Sequence, residues 1–83
     1  MVKYLLIGCQ ERDINTPEFF DTYKEAFSKM CEYLASACGE TVEDVIQIYD
    51  KEDPDGRTGL FHHDAWTERY GQNFDWRIFC VVL

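Results

Sequence analysis

The sequence predicts an α+β domain: one long helix packed on one face of a largely antiparallel sheet of three to four strands, in the order β-α-β-β-β. Three observations carry this. An apolar run opens the chain from Val2 to Cys9, large apolar residues then recur at helical spacing, and a second apolar run closes the chain from Asp75 to Leu83. A helix with one apolar stripe buries it by lying on a sheet. Eighty-three residues suffice for one such core and not for two, so residues 1–83 are expected to form a single domain.

The opening run has apolar residues at both parities, Val2, Tyr4 and Leu6 on one side and Leu5, Ile7 and Cys9 on the other, as in a strand buried on both faces. Gln10 to Thr16 is polar and linker-like. Asn15-Thr16-Pro17-Glu18 then supplies a capping residue, a proline suited to a first helical turn and an early acid favoured by the helix dipole. Phe20, Tyr23, Phe27, Met30, Leu34 and Cys38 follow at steps of three and four, and Gly39 suits a left-handed C-terminal cap. The predicted helix therefore runs from about Pro17 to Cys38, ~33 Å at ~1.5 Å per residue.

Thr41-Val42-Glu43-Asp44 resembles a second capping box with room for one short helical turn, and Val45-Ile46-Gln47-Ile48-Tyr49 reads as a strand. Asp50-Lys51-Glu52-Asp53-Pro54-Asp55-Gly56 is a turn-rich acidic loop. In the tail a strand is expected around Ala65-Trp66-Thr67, a hairpin loop at Tyr70 to Asn73, and a closing strand from Asp75 to Leu83. That strand places Trp76, Ile78, Cys80 and Val82 on one face and Arg77, Phe79, Val81 and Leu83 on the other. One helix covers one face, so the set with Phe79 and Val81 is expected to meet a second copy or a foreign protein, with Arg77 at the rim.

Composition narrows the function. The net charge is −8, and between Glu40 and Asp55 seven acids stand against the single Lys51, which places −6 of that charge in one short stretch. Such a surface repels nucleic acid and anionic membranes, whose binding depends on Lys and Arg. Direct nucleic-acid binding is not expected. Full mimicry of DNA is not expected either: Asp50 to Asp55 spans ~20 Å and holds four acids, where a duplex presents about twelve charges. No apolar run approaches the ~20 residues of a membrane span. The apolar start ends at Gly8-Cys9-Gln10-Glu11, short of a signal-peptide core, and the four cysteines are expected to be reduced thiols in a cytoplasmic protein.

The patterns that suggest chemistry fail on spacing. Asp53-Pro54-Asp55-Gly56 echoes a calcium loop, but with Gly56 at the sixth position Lys51 falls first and His62 twelfth, where acids are required. His62-His63-Asp64 and the cysteines invite zinc, yet no Cys-x-x-Cys or His-x-x-x-His pair exists, and Cys31 and Cys38 lie on the helix's core stripe. No nucleophile elbow and no phosphate-cradling glycine loop is present. The chain is expected to be no enzyme and to need no cofactor.

Gly59 to Val82, with Ala65-Trp66 and Asp75-Trp76-Arg77-Ile78-Phe79, resembles a loose group of small uncharacterised proteins of Firmicutes and their phages. The resemblance implies a mobile-element origin and carries over no activity and no site residue. Small size, the acidic cluster and the aromatic surplus together suggest a non-catalytic protein-binding protein, an inhibitor of a basic, nucleic-acid-binding host protein in the manner of anti-CRISPR proteins. The expected contact residues are Asp50, Glu52, Asp53 and Asp55 in the acidic loop and Arg77, Phe79 and Val81 on the closing strand. A homo-oligomeric module is the alternative, and a small metal or redox protein using its Cys and His residues is a third.

Overall fold

The computed structural model describes residues 1–11, 13–15, 17–52, 56–69 and 71–83. Among these residues two helices, α1 (Tyr23–Cys38) and α2 (Val42–Ile46), accompany seven strands: β1 (Val2–Gln10), β2 (Asp13–Ile14), β3 (Glu18–Phe20), β4 (Lys51–Glu52), β5 (Thr58–Leu60), β6 (Asp64–Arg69) and β7 (Gln72–Val82). They form one sheet in the order β2-β1-β7-β6-β5-β4, with β3 also on β1, and every strand pair is antiparallel. The α+β class and the antiparallel sheet follow the sequence. The strand count does not, because β2, β3, β4 and β5 have two or three residues each, too few for a period-2 pattern to register.

The backbone of the fold is the pairing of the two long apolar runs. β1 and β7 are in register from Val2↔Val82 to Gln10↔Phe74, a closure of the first and last segments of the chain. This register puts Leu6 beside Ile78 and Gly8 beside Trp76 on the face under α1, where all four are buried. Leu5 beside Phe79, Ile7 beside Arg77 and Lys3 beside Val81 share the other face. β6 continues both rows, with Ala65 and Thr67 buried beneath the helix.

The principal helix is shorter than its sequence suggests. Residues 18–20, expected in its first turn, instead pair with β1 through Tyr4↔Phe20, Leu5↔Phe19 and Leu6↔Glu18. There they complete the hydrogen bonding of a strand edge that would otherwise stay open. Asn15 is not the cap. Thr22 is: its hydroxyl accepts from the Glu25 backbone N–H at 3.2 Å and donates to the Glu25 carboxylate at 2.9 Å. The C-terminal end is as expected. Gly39 sits at φ 69, its N–H donates to the Ser36 carbonyl and the Glu40 N–H donates to the Ala35 carbonyl, a double closure that satisfies two of the last carbonyls of the helix. Ala26, Met30, Cys31, Leu34, Ala35 and Cys38 face the sheet and are buried, and Tyr23 and Phe27 lie at the margin of that stripe.

The expected strand at Val45 to Tyr49 is a helix and turn. Val42, Val45, Ile46 and Tyr49 fall at helical spacing, and the Thr41 hydroxyl accepts from the Asp44 N–H at 3.2 Å to start the turn. Val45 is buried against α1, which fixes the short helix there. Tyr49 keeps one sheet link, a parallel bridge to Leu60. In the tail, β6 and β7 form the expected hairpin about Gly71 at φ 77, but β7 begins at Gln72 and not at Asp75.

Candidate interaction surfaces

The contact residues expected from the sequence fall on two surfaces. Asp50 stands exposed at φ 61 with its N–H bonded to the Leu60 carbonyl, and Glu52 follows in β4, paired with Gly59. Asp53 and Asp55 lie outside the described residues. Arg77, Phe79 and Val81 are on β7, three strands from β4 and so about 14 Å away at ~4.8 Å per strand. They do not form one site with Asp50 or with the backbone of β4.

The β7 residues belong to the face of the sheet opposite α1. Phe19, Leu5 and Phe79 make one cross-strand row there, with Phe19 58% and Phe79 46% exposed. Ile14 continues the apolar surface at the β2 edge. Toward β6 the same face turns polar: Asp64 is opposite Arg77, and Asp75 is opposite Trp66, whose ring stacks on Phe61.

The acidic stretch borders a different feature. Tyr23 and Phe27 of α1, Ile46 and Tyr49 around α2, and His62 after β5 line an open, apolar hollow of about 490 Å³. Its walls are aromatic contacts. Tyr23 stacks on His62 with ring centroids 4.3 Å apart, and Phe27 meets Tyr49 edge-on at 5.6 Å. The Tyr23 hydroxyl donates to the His62 carbonyl at 2.6 Å and so anchors the loop to the helix. Ile46 and Tyr49 remain 47% and 41% exposed. Glu43, three positions before Ile46 and hence on its side of α2, and Asp50, next to Tyr49 in the chain, are both exposed. The sequence places Tyr23 and Phe27 on the helix stripe and suggests His62 as a metal ligand, and it assigns none of the five lining residues to an interaction surface. The signal that could have found Ile46 and Tyr49 is the i, i+3, i+4, i+7 spacing of Val42, Val45, Ile46 and Tyr49.

Burial gives this side of the molecule an alkaline sensitivity. It pushes the Tyr23 phenol up to about 12, with the neighbouring Tyr49 adding to the rise, and the Cys31 thiol up to about 11. The Tyr33 phenol is also pushed up to about 12, first by its hydrogen bond to the Glu18 carboxylate and then by burial. Unfolded tyrosine ionises near ~10 and cysteine near ~8.5, so above those values the unfolded state sheds protons that the folded state retains. Stability is therefore expected to fall from about pH 9 and to keep falling until about pH 12. Melting curves across that range check this, and a Tyr33→Phe, Tyr23→Phe double variant should flatten the upper part.

The cysteines divide. Cys31 and Cys38 are core residues, Cys9 is half-buried with its Sγ 3.2 Å from the Glu11 carbonyl, and Cys80 is exposed. Among the described residues no three His, Cys, Asp or Glu side chains converge as metal ligands, and no helix is long and apolar enough to cross a membrane. No protein-family model matches the chain, and neither the curated proteins nor the solved structures yield a match.

Proposed function

We propose that this chain is a non-catalytic protein-binding protein that seats a basic, apolar-centred surface of another protein in the hollow between α1 and α2, in the manner of an inhibitor of a nucleic-acid-binding protein. The observation that carries this reading is the position of the acidic stretch: its exposed acids Glu43 and Asp50 flank the exposed Ile46 and Tyr49. An apolar centre within a charged rim is the anatomy of a protein interface. A net charge of −8 steers a basic partner toward it. The four free thiols suit a reducing compartment, and the cytoplasm is the setting we assign. The test is competition. A partner isolated by affinity capture should lose its nucleic acid as this protein is added, in proportion to complex formed. Complex formation that leaves the nucleic acid bound would contradict the inhibitor role.

A second reading, self-association, is favoured by the uncovered Phe19–Leu5–Phe79 row. The same face carries Arg77 beside Asp64 and Asp75 on the neighbouring strand positions, so two copies related by a two-fold axis can pair opposite charges around apolar centres. Light scattering behind size exclusion should then show a dimer that Phe79→Lys or Val81→Lys converts to a folded monomer. A wild-type chain that stays monomeric at high concentration would dismiss this reading.

A further inference from the structure

A separate cavity of about 340 Å³ lies beside the helix-covered face, lined by Leu6, Gly8, Asn15, Glu18, Tyr33 and Trp76. That volume is at the lower end of small-molecule sites, roughly 300–1,000 Å³. At its floor the edge of the Trp76 indole takes the space that a side chain at position 8 would need. A Cβ there would stand 2.7 Å from Trp76 Cδ1, 2.9 Å from Trp76 Nε1 and 3.2 Å from Asn15 Nδ2, so the buried indole edge and the amide converge on the space above the glycine. β3, the segment the sequence assigns to a helix, brings Glu18 opposite Leu6 on the same side. Tyr33 reaches from α1 and donates its hydroxyl to the Glu18 carboxylate.

The Glu18 carboxylate is the group that calls for a ligand. It is half-buried, and a carboxylate has about four acceptor sites, of which the Tyr33 hydroxyl uses one. Among the described residues no lysine or arginine is ion-paired with it; Lys29 lies over the Tyr33 ring, 5.3 Å from its centroid. A partly buried anion is stabilised by an opposite charge that also donates hydrogen bonds.

We infer that this cavity binds an organic cation, an ammonium or guanidinium group held by the Glu18 carboxylate between Tyr33, Asn15 and the edge of Trp76. The group can belong to a small amine or to a lysine or arginine side chain of a protein. The site is distinct from the hollow between α1 and α2 and stands or falls independently of it.

The test titrates the protein with n-butylamine, ethylguanidinium and N-acetyl-arginine amide, with sodium acetate as an ionic-strength control, and follows the Trp76 indole N–H by NMR. Saturable shifts from the cations and none from acetate are expected. Glu18→Gln keeps an oxygen to accept from Tyr33 but loses the charge, and should weaken binding at least about tenfold, the equivalent of ~1.4 kcal/mol. Asn15→Ala, whose backbone N–H still bonds the Gly8 carbonyl, is the second variant and should weaken it too. Binding of the free amines marks a small-molecule site, and binding of the arginine amide alone marks a peptide side-chain site. No saturable shift from any of the three cations, or equal binding by wild type and Glu18→Gln, overturns the inference.

Discussion

Leu34→Ala is expected to cost about 2–5 kcal/mol of unfolding free energy, because the surrounding core cannot collapse fully onto the missing volume. Leu34 is fully buried in the middle of the α1 stripe, with Met30 and Cys31 on the preceding turn and Cys38 on the next. A chain of 83 residues has in total on the order of 4–12 kcal/mol of stability, so this substitution removes a large part of it. Urea titration measures the loss. A cost under about 1 kcal/mol would mean that α1 is not docked on the sheet as described.

The second large effect concerns recognition. Tyr49→Ala is expected to weaken the proposed complex by about 2 kcal/mol or more, roughly thirtyfold, as truncation of an aromatic anchor at the centre of an interface does. Tyr49 is 41% exposed and meets Phe27 edge-on, so the same change should alter stability far less than Leu34→Ala. Binding isotherms for the captured partner, set beside melting curves, separate the two quantities. A loss of binding matched by a loss of folding would assign Tyr49 a structural role only.

Much of the fold is written in local pattern. The paired runs at Val2 to Cys9 and Asp75 to Leu83, the Met30, Leu34 and Cys38 stripe, and the Gly39 cap all stand where their residue types place them. What was misread depends on contacts between distant segments. Asn15-Thr16-Pro17-Glu18 and Thr22 to Glu25 carry the same kind of helix-start signal. The edge of β1, a dozen residues back, decides between them by taking Glu18–Phe20 as a strand. Val45, Ile46 and Ile48 are β-branched and suggest a strand, while the burial of Val45 against α1 goes with a helix over Val42–Ile46.

The candidate surfaces were legible to a lesser degree for the same reason. The alternation in β7 puts Phe79 and Val81 on one face, which parity alone gives; that this face lies away from α1 comes from the packing of the helix over Trp76 and Ile78. The hollow and the cavity cannot be read from parity. Tyr23 meets His62 across 39 positions of sequence, and Tyr33 meets Glu18 across 15, and no periodicity links such pairs. The acidic stretch was visible as a charge cluster, but its relation to Ile46 and Tyr49 emerges once α2 is a helix.

The most direct test of the proposed interface is the salt dependence of partner affinity for the wild type and for a Glu43→Gln, Asp44→Asn, Asp50→Asn variant. All three acids are exposed, and asparagine tolerates the left-handed backbone at position 50, so the melting temperature should hardly move. The account predicts that wild-type affinity falls steeply with salt, whereas the variant binds more weakly at low salt and loses little more as salt is added. Superimposable affinities for the two proteins at every salt concentration, with both folded, would contradict it.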